Sequence, residues 1–427
     1  MHDALFREGT PSSLLELIAD SGSITTAHGV IHGLPSTLFG SLRGDGRDLA
    51  ARISSAEQSN SSIIYGDKLM MKQFRRQQPG VNPDTEIGRY LTEQTSFRNI
   101  APFVGSINYL AGSDTYTLAM LQGLVANEGD GWQWTLEELD RYFEDRAGDV
   151  FPMAEASTLP TDFVALSEAV IPDGVRDSVG FYLDAASTLG RRTGELHVSL
   201  GQATTNEDFN PKPFTAADSE ALREQLSANA TRAFEALKDN LANLPDELVE
   251  SAGLVLSRRR TLFETLSGLT RREIGGLQTR VHGDYHLGQV LRTKSDFVIL
   301  DFEGEPAKSL VEGRAKQSPL KDVAGMLRSF SYAAFASLTR HTTRRPQSAE
   351  KLEPWARLWE QSVTAEFLRA YREAVGQSPI VPSDRGAFQS LLAAYLLDKA
   401  FYELVYELNN RPAWVGIPLH GILSLTL

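Results

Sequence analysis

The chain lacks cysteine altogether, which excludes disulfide bonds, thiol nucleophiles and thiolate metal sites. Basic residues are also the minority, since 42 lysines and arginines stand against 55 aspartates and glutamates, a formal net charge of −13. This balance argues against a nucleic-acid-binding protein, which needs a basic surface. No apolar run approaches the roughly 18 residues of a membrane-spanning helix, and the first residues contain no apolar secretory segment. We therefore expect a cytoplasmic protein that binds neither nucleic acid nor membrane.

The pattern along the chain divides it into a β-rich part and a longer helical part. The 427 residues predict two or three domains, and 41% apolar residues is ordinary for a globular enzyme. We see no internal repeat and no low-complexity linker. We expect a partial N-terminal cap over residues 1–50, a β-rich lobe over 51–125, and a helical lobe over 126–427.

Local signals predict most of the long elements. Strand-like runs flank the turn dipeptide Gly66-Asp67, and Asn82 followed by Pro83 predicts a capped helix start. A further helix is expected to begin at Thr135, where Thr-Leu-Glu-Glu resembles a capping box. The remaining long helices are predicted over 181–200, 215–241, 319–339, 354–375 and 389–410, with a basic turn over 340–346.

Two short stretches contain the residue types that ATP-dependent phosphoryl transfer requires. The first, His-Gly-Asp284-Tyr-His-Leu-Gly-Gln289, resembles the catalytic loop H-x-D-x-x-x-x-N of kinases, with glutamine in place of asparagine. The second, Asp301-Phe-Glu-Gly after an apolar strand, resembles the D-F-G metal segment. Each aspartate alone is an ordinary loop or strand-end residue. Together they predict that Asp284 orients the attacking hydroxyl and that Gln289 and Asp301 hold Mg²⁺.

A lysine near the end of an apolar strand supplies the other half of a kinase site. Lys72 is expected to hold the phosphates of ATP and to pair with Glu86 on the next helix. Lys68 is the alternative for this role, but it lies next to the Gly66-Asp67 turn and is expected to face solvent. Glu303, two residues after Asp301, is a candidate further metal or substrate ligand, although an acidic loop residue is otherwise unremarkable.

Other residues complete a nucleotide site in this interpretation. A serine- and asparagine-rich loop containing Ser59 and Asn60 is expected to cover the phosphates, although such clusters also form ordinary turns. The backbone around Gln122 and Leu124 is expected to connect the lobes and pair with adenine. These features predict an α+β, bilobal, protein-kinase-like fold.

The last long helix carries an unusual polar and aromatic face. Lys399, Tyr402 and Tyr406 recur at helical spacing, and Arg411 and Trp414 follow the helix. Aromatic rings stack on sugars and charged groups bind hydroxyls, so this face is a candidate sugar site. The alternative is a tyrosine-rich face that packs against a neighbouring helix.

Three further polar residues are expected to support the catalytic loop. His286 beside Asp284 is interpreted as an orienting residue and a candidate substrate contact. Asp322 is interpreted as a structural acid near a helix start, where some kinase folds brace the catalytic loop. His197 is interpreted as a core histidine with satisfied hydrogen bonds or as a residue that supports the site.

In combination, these motifs resemble the maltokinase family, within the aminoglycoside-phosphotransferase-like kinases. The matching stretches are 57–60, 72–76, 79–87, 127–130, 282–289, 301–306, 322–329 and 402–414. The resemblance implies ATP- and Mg²⁺-dependent phosphorylation of maltose at its anomeric hydroxyl, and association with trehalose synthase, to which such domains are often fused. It also implies the roles given above for Asp284, Gln289, Asp301, and Lys72 paired with Glu86, and a sugar site on the C-terminal face.

The N-terminus departs from this family, whose members usually have a longer cap with a tryptophan-containing start. Residues 1–49 resemble the second part of such a cap, so we expect one domain of a longer polypeptide. Two alternatives stay open. One is a kinase for another small molecule, such as glucosamine or an aminoglycoside. The other is a non-catalytic module that senses nucleotide or glycan.

Overall fold

The structure, a computed structural model, describes residues 7, 9–44, 49–54, 60–269, 274–306, 308–345, 347 and 349–425. The chain forms two compact units. The smaller unit comprises Met1–Glu128 with Val298–Ala315, and the larger unit comprises Gly129–Phe297 with Lys316–Leu427. The smaller unit thus combines the stretches expected as cap (1–50) and β-rich lobe (51–125) with Val298–Ala315, which contains Asp301. The expected domain boundaries stay a prediction.

A seven-stranded antiparallel sheet forms most of the smaller unit, in the order β1-β2-β6-β7-β5-β4-β3. Its strands are β1 (Ser23–Thr25), β2 (Val30–Pro35), β3 (Ala51–Ser54), β4 (Asn60–Tyr65), β5 (Leu69–Phe74), β6 (Phe103–Ala111) and β7 (Asp114–Gly123). Gly66 connects β4 to β5 with a φ of +59°, a backbone angle that glycine adopts without strain. The predicted hairpin is confirmed.

In the part of the smaller unit that the structure describes, the sheet is accompanied by helices α1 (Thr10–Ala19), α2 (Phe39–Arg43), α3 (Pro83–Gln94) and α12 (Leu310–Gly313). The predicted cap of α3 is confirmed, because the Asn82 side chain accepts a 2.8 Å hydrogen bond from the Asp84 N–H. On α1, Leu15 and Ile18 are buried in the sheet's core. A Cβ at Gly33 would lie 2.0 Å from the Leu17 carbonyl oxygen, so only glycine permits β2 to pass this close to α1.

The larger unit is mainly helical. Its helices are α4 (Gly131–Arg146), α5 (Met153–Ala156), α6 (Phe163–Glu168), α7 (Asp173–Val179), α8 (Tyr182–Leu200), α9 (Ala216–Asn240), α10 (Asp246–Ser257), α11 (Arg259–Leu269), α13 (Leu320–Arg344), α14 (Ala349–Val375), α15 (Arg385–Asn410) and α16 (Gly416–Ser424). The short strands of the larger unit are β8 (Lys212–Pro213), β9 (Leu277–Gln278) and β10 (Val290–Thr293), and β8 pairs with β9. Strand β11 (Asp296–Ile299) begins in the larger unit and ends in the smaller one. Single-turn 3₁₀ helices span Leu241–Asn243, Leu287–Gln289 and Pro412–Trp414.

Helices α8 and α14 pack closely because glycines line their contact. A Cβ at Gly190 would lie 2.2 Å from the Phe367 carbonyl oxygen, and one at Gly194 would lie 2.9 Å from that of Tyr371. These close contacts fix the position of His197, which lies on the same helix and has no exposed surface.

The structure corrects two helix predictions. Helix α4 begins at Gly131, because Asp130 caps it by accepting a 2.8 Å hydrogen bond from the Gln133 N–H, whereas Thr135 lies inside the helix. Helix α13 continues to Arg344, through most of the predicted basic turn. The mixed α+β class is confirmed. Among the described residues, no helix is both long enough and apolar enough to cross a membrane.

Candidate active site

Asp284 lies in a loop of the larger unit between β9 and the 3₁₀ turn Leu287–Gln289. Asp322, at the start of α13, holds this loop through its backbone. Its two carboxylate oxygens accept hydrogen bonds from the N–H groups of His282 at 2.7 Å and Gly283 at 2.9 Å. Gly283 has a φ of +88°, a conformation that favours glycine. The bracing role expected for Asp322 therefore has a direct geometric basis.

A buried histidine and tyrosine extend this brace. His197 Nε2 lies 3.2 Å from Asp322 Oδ2, and His197 Nδ1 lies 3.1 Å from the Tyr371 hydroxyl. Burial alone would raise the pKa of Asp322, but its contacts with His197 and the Gly283 N–H outweigh burial and hold that pKa below its usual value. Asp322 therefore remains an ionised hydrogen-bond acceptor for the loop.

The Asp284 carboxylate is within reach of a cation from helix α15. Lys399 Nζ lies 3.2 Å from Asp284 Oδ1, and His286 Nε2 lies 3.9 Å from Oδ2. Burial would raise the pKa of Asp284, but Lys399 and His286 together outweigh that effect and lower it. The side chain is 20% exposed, so an ionised oxygen can accept a hydrogen bond from a bound hydroxyl.

Gln289 ends the 3₁₀ turn and is half-buried. His286 caps this turn, because its Nδ1 accepts a 3.0 Å hydrogen bond from the Gly288 N–H. Ser329 Oγ on α13 also accepts one, from the Leu287 N–H at 3.1 Å. The six residues from Asp284 to Gln289 thus form a compact segment held at both ends. The metal role of Gln289 and the substrate role of His286 stay predictions.

The candidate sugar face comprises Lys399, Tyr402, Tyr406, Arg411 and Trp414, all in the larger unit. The two tyrosine side chains are each 44% exposed. Lys399 Nζ lies 5.2 Å from the centre of the Tyr402 ring. The Arg411 guanidinium lies 5.4 Å from the Tyr406 ring and 4.6 Å from the Trp414 ring. The opposite stripe of α15 is buried as predicted, at Leu397, Phe401, Leu404 and Leu408.

Helix α13 contributes two residues to this face that the sequence interpretation gave no role. Arg328 Nε and Nη2 bond to Oε2 of Glu403 at 2.9 and 2.8 Å. Tyr332 donates a 3.2 Å hydrogen bond to Glu407, and its ring stacks 6.3 Å from that of Trp414. Arg328 and Tyr332 are four residues apart on a helix that starts beside Asp322, and this i,i+4 spacing is the signal that could have identified them.

In the smaller unit, Lys72 is buried at 6% exposure and surrounded by carboxylates. Its Nζ lies 3.1 Å from Asp84 and 2.8 Å from Glu303, and it also bonds to Asp301. The predicted pairing of Lys72 with Glu86 is wrong. Positions 84 and 86 lie about 200° apart around the helix, so they face different neighbours.

Glu86 instead bonds to Arg314, at 2.7 and 2.9 Å. Asp84, which the sequence interpretation did not single out, takes the position next to Lys72. Its second oxygen accepts a 3.0 Å hydrogen bond from the Phe302 N–H. Asp84 therefore links strand β5 to the Asp301 segment.

Asp301, Glu303 and Asp84 each place a carboxylate oxygen within 4.8 Å of the others. Asp301 has a φ of +64°, which is uncommon outside glycine and reorients the chain directly after β11. Asn60 donates a 2.8 Å hydrogen bond to Glu303. Burial raises the pKa of Glu303, although Lys72 opposes the shift. These hard oxygen ligands fit Mg²⁺.

The expected adenine-binding segment lies at the end of β7. Gln122 is buried, and the Leu124 N–H donates a 2.7 Å hydrogen bond to the Lys68 carbonyl, so this N–H already has a partner. A small cavity beside Gln122 is lined by Asp84, Gly88, Ile100, Ala101, Phe103, Met120, Ile299, Leu300, Asp301 and Phe302. Ser59 lies outside the described residues. Adenine binding by this segment stays a prediction.

The candidate residues thus form two sets. Asp284, Gln289 and the sugar face belong to the larger unit, and Lys72, Asp301 and Glu303 belong to the smaller unit. The convergence of Asp284 and Gln289 with Asp301 around one metal-bound triphosphate stays a prediction.

The chain has a kinase-like α+β fold. A solved structure, of glucosamine kinase in complex with glucosamine, ADP and inorganic phosphate, matches it with a TM-score of 0.65 at 22% identity, covering 98% of this chain and 83% of that chain. None of the protein-family models compared with the chain matches it.

Two curated proteins, both named glucosamine kinase, are similar in sequence. One, from Mycolicibacterium smegmatis, is 25% identical over 417 residues, covering 96% of this chain and 86% of that protein. The other, from Streptacidiphilus jiangxiensis, is 23% identical over 372 residues, covering 87% and 71%. These relatives support a kinase-like phosphotransferase, and the specific resemblance to maltokinases stays a prediction.

Proposed function

We propose that the chain transfers the γ-phosphoryl group of ATP to the anomeric hydroxyl of maltose, giving maltose 1-phosphate and ADP. The observation that carries this proposal is the 3.2 Å contact between Lys399 and Asp284. It joins the kinase-like loop and the aromatic, charged face of α15 within one unit. A sugar bound on that face would present its hydroxyl to the Asp284 carboxylate.

Each residue has a role that follows from its chemistry. Asp284 orients the sugar hydroxyl and accepts its proton, and a weak carboxylate base suffices because a hemiacetal hydroxyl is more acidic than an alcohol. Lys72 binds phosphate oxygens of ATP. Asp301 and Gln289 would hold Mg²⁺, which neutralises charge on the transferring phosphoryl group.

The electrostatics of the sugar face favour a neutral acceptor. Glu403 is bonded to Arg328, and Glu407 is bonded to Arg411 at 2.6 and 2.9 Å and to Tyr332. A cationic amino sugar would need a carboxylate whose charge is not already balanced. The exposed tyrosines suit the C–H faces of a disaccharide.

Phosphorylation of glucosamine is the second candidate. It is favoured by the two relatives named glucosamine kinase, one of which matches 96% of this chain. The two candidates differ in the charge of the acceptor and in its number of rings.

A substrate panel decides between them. Purified protein is incubated with Mg-ATP and maltose, glucosamine or kanamycin, and ADP release is followed by a coupled assay. We expect turnover with maltose and a product whose phosphorus couples to the anomeric proton in NMR. Turnover of glucosamine but not maltose would replace the first candidate by the second. The Asp284→Asn variant controls for contaminating kinases and should release no ADP.

A further inference from the structure

Helix α15 carries two carboxylates, Glu403 and Glu407, one turn apart beside the sugar face. Glu403 is 8% exposed and Glu407 is 1% exposed. Like charges at this spacing repel each other, and buried charges lose their hydration. Each therefore needs a cation or a hydrogen-bond donor close by. The cations that balance these two glutamates therefore determine the net negative charge close to a bound acceptor.

Arg328 supplies the positive charge for Glu403 from a different helix. Its guanidinium is 4% exposed and bonds to Glu403 through two nitrogens, with Ser331 3.4 Å from the third. Helix α16 packs directly against the guanidinium, since a Cβ added at Gly421 would lie 2.2 Å from Arg328 Nη1. The arginine is thus buried beside α16, and it also interacts with the Glu360 carboxylate of α14.

This pairing also determines what Lys399 does. Lys399 and Glu403 stand at i,i+4, a spacing at which lysine and glutamate pair on a helix. Because Arg328 already neutralises Glu403, the Lys399 ammonium is available to Asp284, which it contacts at 3.2 Å. Three carboxylates near the sugar face are thus each paired with a cation: Asp284 with Lys399, Glu403 with Arg328 and Glu407 with Arg411.

We propose that Arg328 is a specificity-determining residue, which neutralises Glu403 and thereby makes the acceptor site select neutral sugars and reject cationic amino sugars. The inference rests on the proposed function. It concerns charge, however, and a different pair of sugars tests it. Glucose and glucosamine differ only by a hydroxyl in place of an ammonium group, so the ratio of their affinities reports the charge preference.

The experiment measures that ratio in the whole chain by calorimetric binding and, where turnover occurs, by kcat/KM. We expect the wild-type protein to prefer glucose. The Arg328→Gln variant should shift the ratio toward glucosamine at least about tenfold, which corresponds to about 1.4 kcal/mol. The double variant Arg328→Gln, Glu403→Gln removes both charges and should return the ratio toward wild type. Arg328→Lys keeps the charge and should stay near wild type.

A matched control is Arg176→Gln. Arg176 also pairs with a buried glutamate, Glu366, at 2.8 Å in the same unit. Because this variant makes the same charge change away from the sugar face, its ratio should equal that of wild type. If Arg328→Gln does not fold, Glu403→Gln serves instead, since it leaves the arginine unbalanced and should shift the ratio further toward glucose.

Three results would overturn the inference. They are a wild-type preference for glucosamine, an equal loss of both sugars in Arg328→Gln, and a double variant that behaves like the single one. Loss of both sugars alike would make Arg328 a structural residue only. Failure of the proposed function is distinct, since it would appear as no phosphorylation of maltose while the glucose-to-glucosamine binding ratio still responds to Arg328. No binding of either sugar by any variant, a fourth overturning result, would leave the maltose assay to decide the proposed function.

Discussion

The Lys72 ammonium lies 3.1 Å from the Asp84 carboxylate, on the first turn of the helix that follows its strand. The other Asp84 oxygen binds the Phe302 N–H, so one side chain fixes both the lysine and the backbone next to Asp301. Because both side chains are less than a tenth exposed, this contact is shielded from solvent and salt. In the proposed function, the orientation of Lys72 toward ATP depends on this contact.

Replacing Asp84 by asparagine should therefore impair nucleotide binding. Loss of a hydrogen bond to a charged group corresponds to about 1.5–3 kcal/mol, so we expect a lower midpoint of thermal unfolding. We also expect a KM for ATP raised about tenfold or more. The matched control is Glu86→Gln, which alters a partly buried pair with Arg314 that does not contact Lys72, and it should change the KM for ATP little. A larger rise in KM for Glu86→Gln than for Asp84→Asn would contradict the assignment of Asp84 as the functional partner of Lys72.

Removing the Lys399 charge should move the pH dependence of turnover. Lys399 lowers the pKa of Asp284. In the proposed mechanism the active form of Asp284 is the carboxylate, so turnover should be lost as pH falls through that pKa. In Lys399→Met the pKa rises, and the acidic limb of the kcat profile should shift to higher pH. As a control, Lys238→Met removes one exposed positive charge from helix α9 and should leave the acidic limb of the kcat profile unchanged. An unchanged limb in Lys399→Met would show that Lys399 does not control the ionisation of Asp284.

The Asp322–His197 brace behind the Asp284 loop predicts a loss of kcat without a loss of nucleotide affinity. His197→Phe removes the 3.2 Å contact with Asp322, which leaves a buried carboxylate under-satisfied at about 1–3 kcal/mol. We expect kcat to fall and the dissociation constant for ATP to stay unchanged. Tyr371→Phe removes only the outer contact, at His197 Nδ1, and should have a smaller effect. Equal effects on kcat and on ATP affinity in His197→Phe would indicate general destabilisation instead.

Two helical glycines should respond in opposite ways to alanine. A Cβ at Gly421 would lie 2.2 Å from Arg328, so Gly421→Ala must displace the arginine and should lower the unfolding midpoint and the turnover of a neutral sugar. Gly253 lies inside α10 with nothing within 4 Å of an added Cβ, so Gly253→Ala should stabilise the protein by about 0.5–1 kcal/mol. Thermal unfolding of both variants, beside the sugar turnover of each, checks this. Normal turnover in Gly421→Ala would show that Arg328 tolerates displacement.

The sequence predicts features whose signals are local. Asn82 caps α3 because an asparagine before a proline satisfies the first N–H groups of a helix, and the Gly66-Asp67 turn separates two strands for similarly local reasons. The spacing of Asp284 and Gln289 is also contained within one short loop. In each case the residues that determine the feature lie within about five positions of one another.

Partners chosen by tertiary packing were not predictable in this way. Both Asp84 and Glu86 are acidic and early in one helix, and only the placement of Phe302 and Arg314 against them decides which one meets Lys72. The partner of Arg328 could not be predicted for the same reason, because Glu403 lies 75 positions away on another helix. A single sequence carries no information that couples such distant positions.

The pairing of β2 with β6 limits how far the chain can be shortened from its N-terminus. Residues Val30–Pro35 cover one edge of β6 through six paired positions, and β1 ends the sheet with only three residues, all exposed. A chain that started at Ala51 would leave the backbone amides and carbonyls of β6 open to any other strand. We therefore expect a chain trimmed to begin at Ala51 to aggregate, because β1 and β2 shield this edge of the sheet.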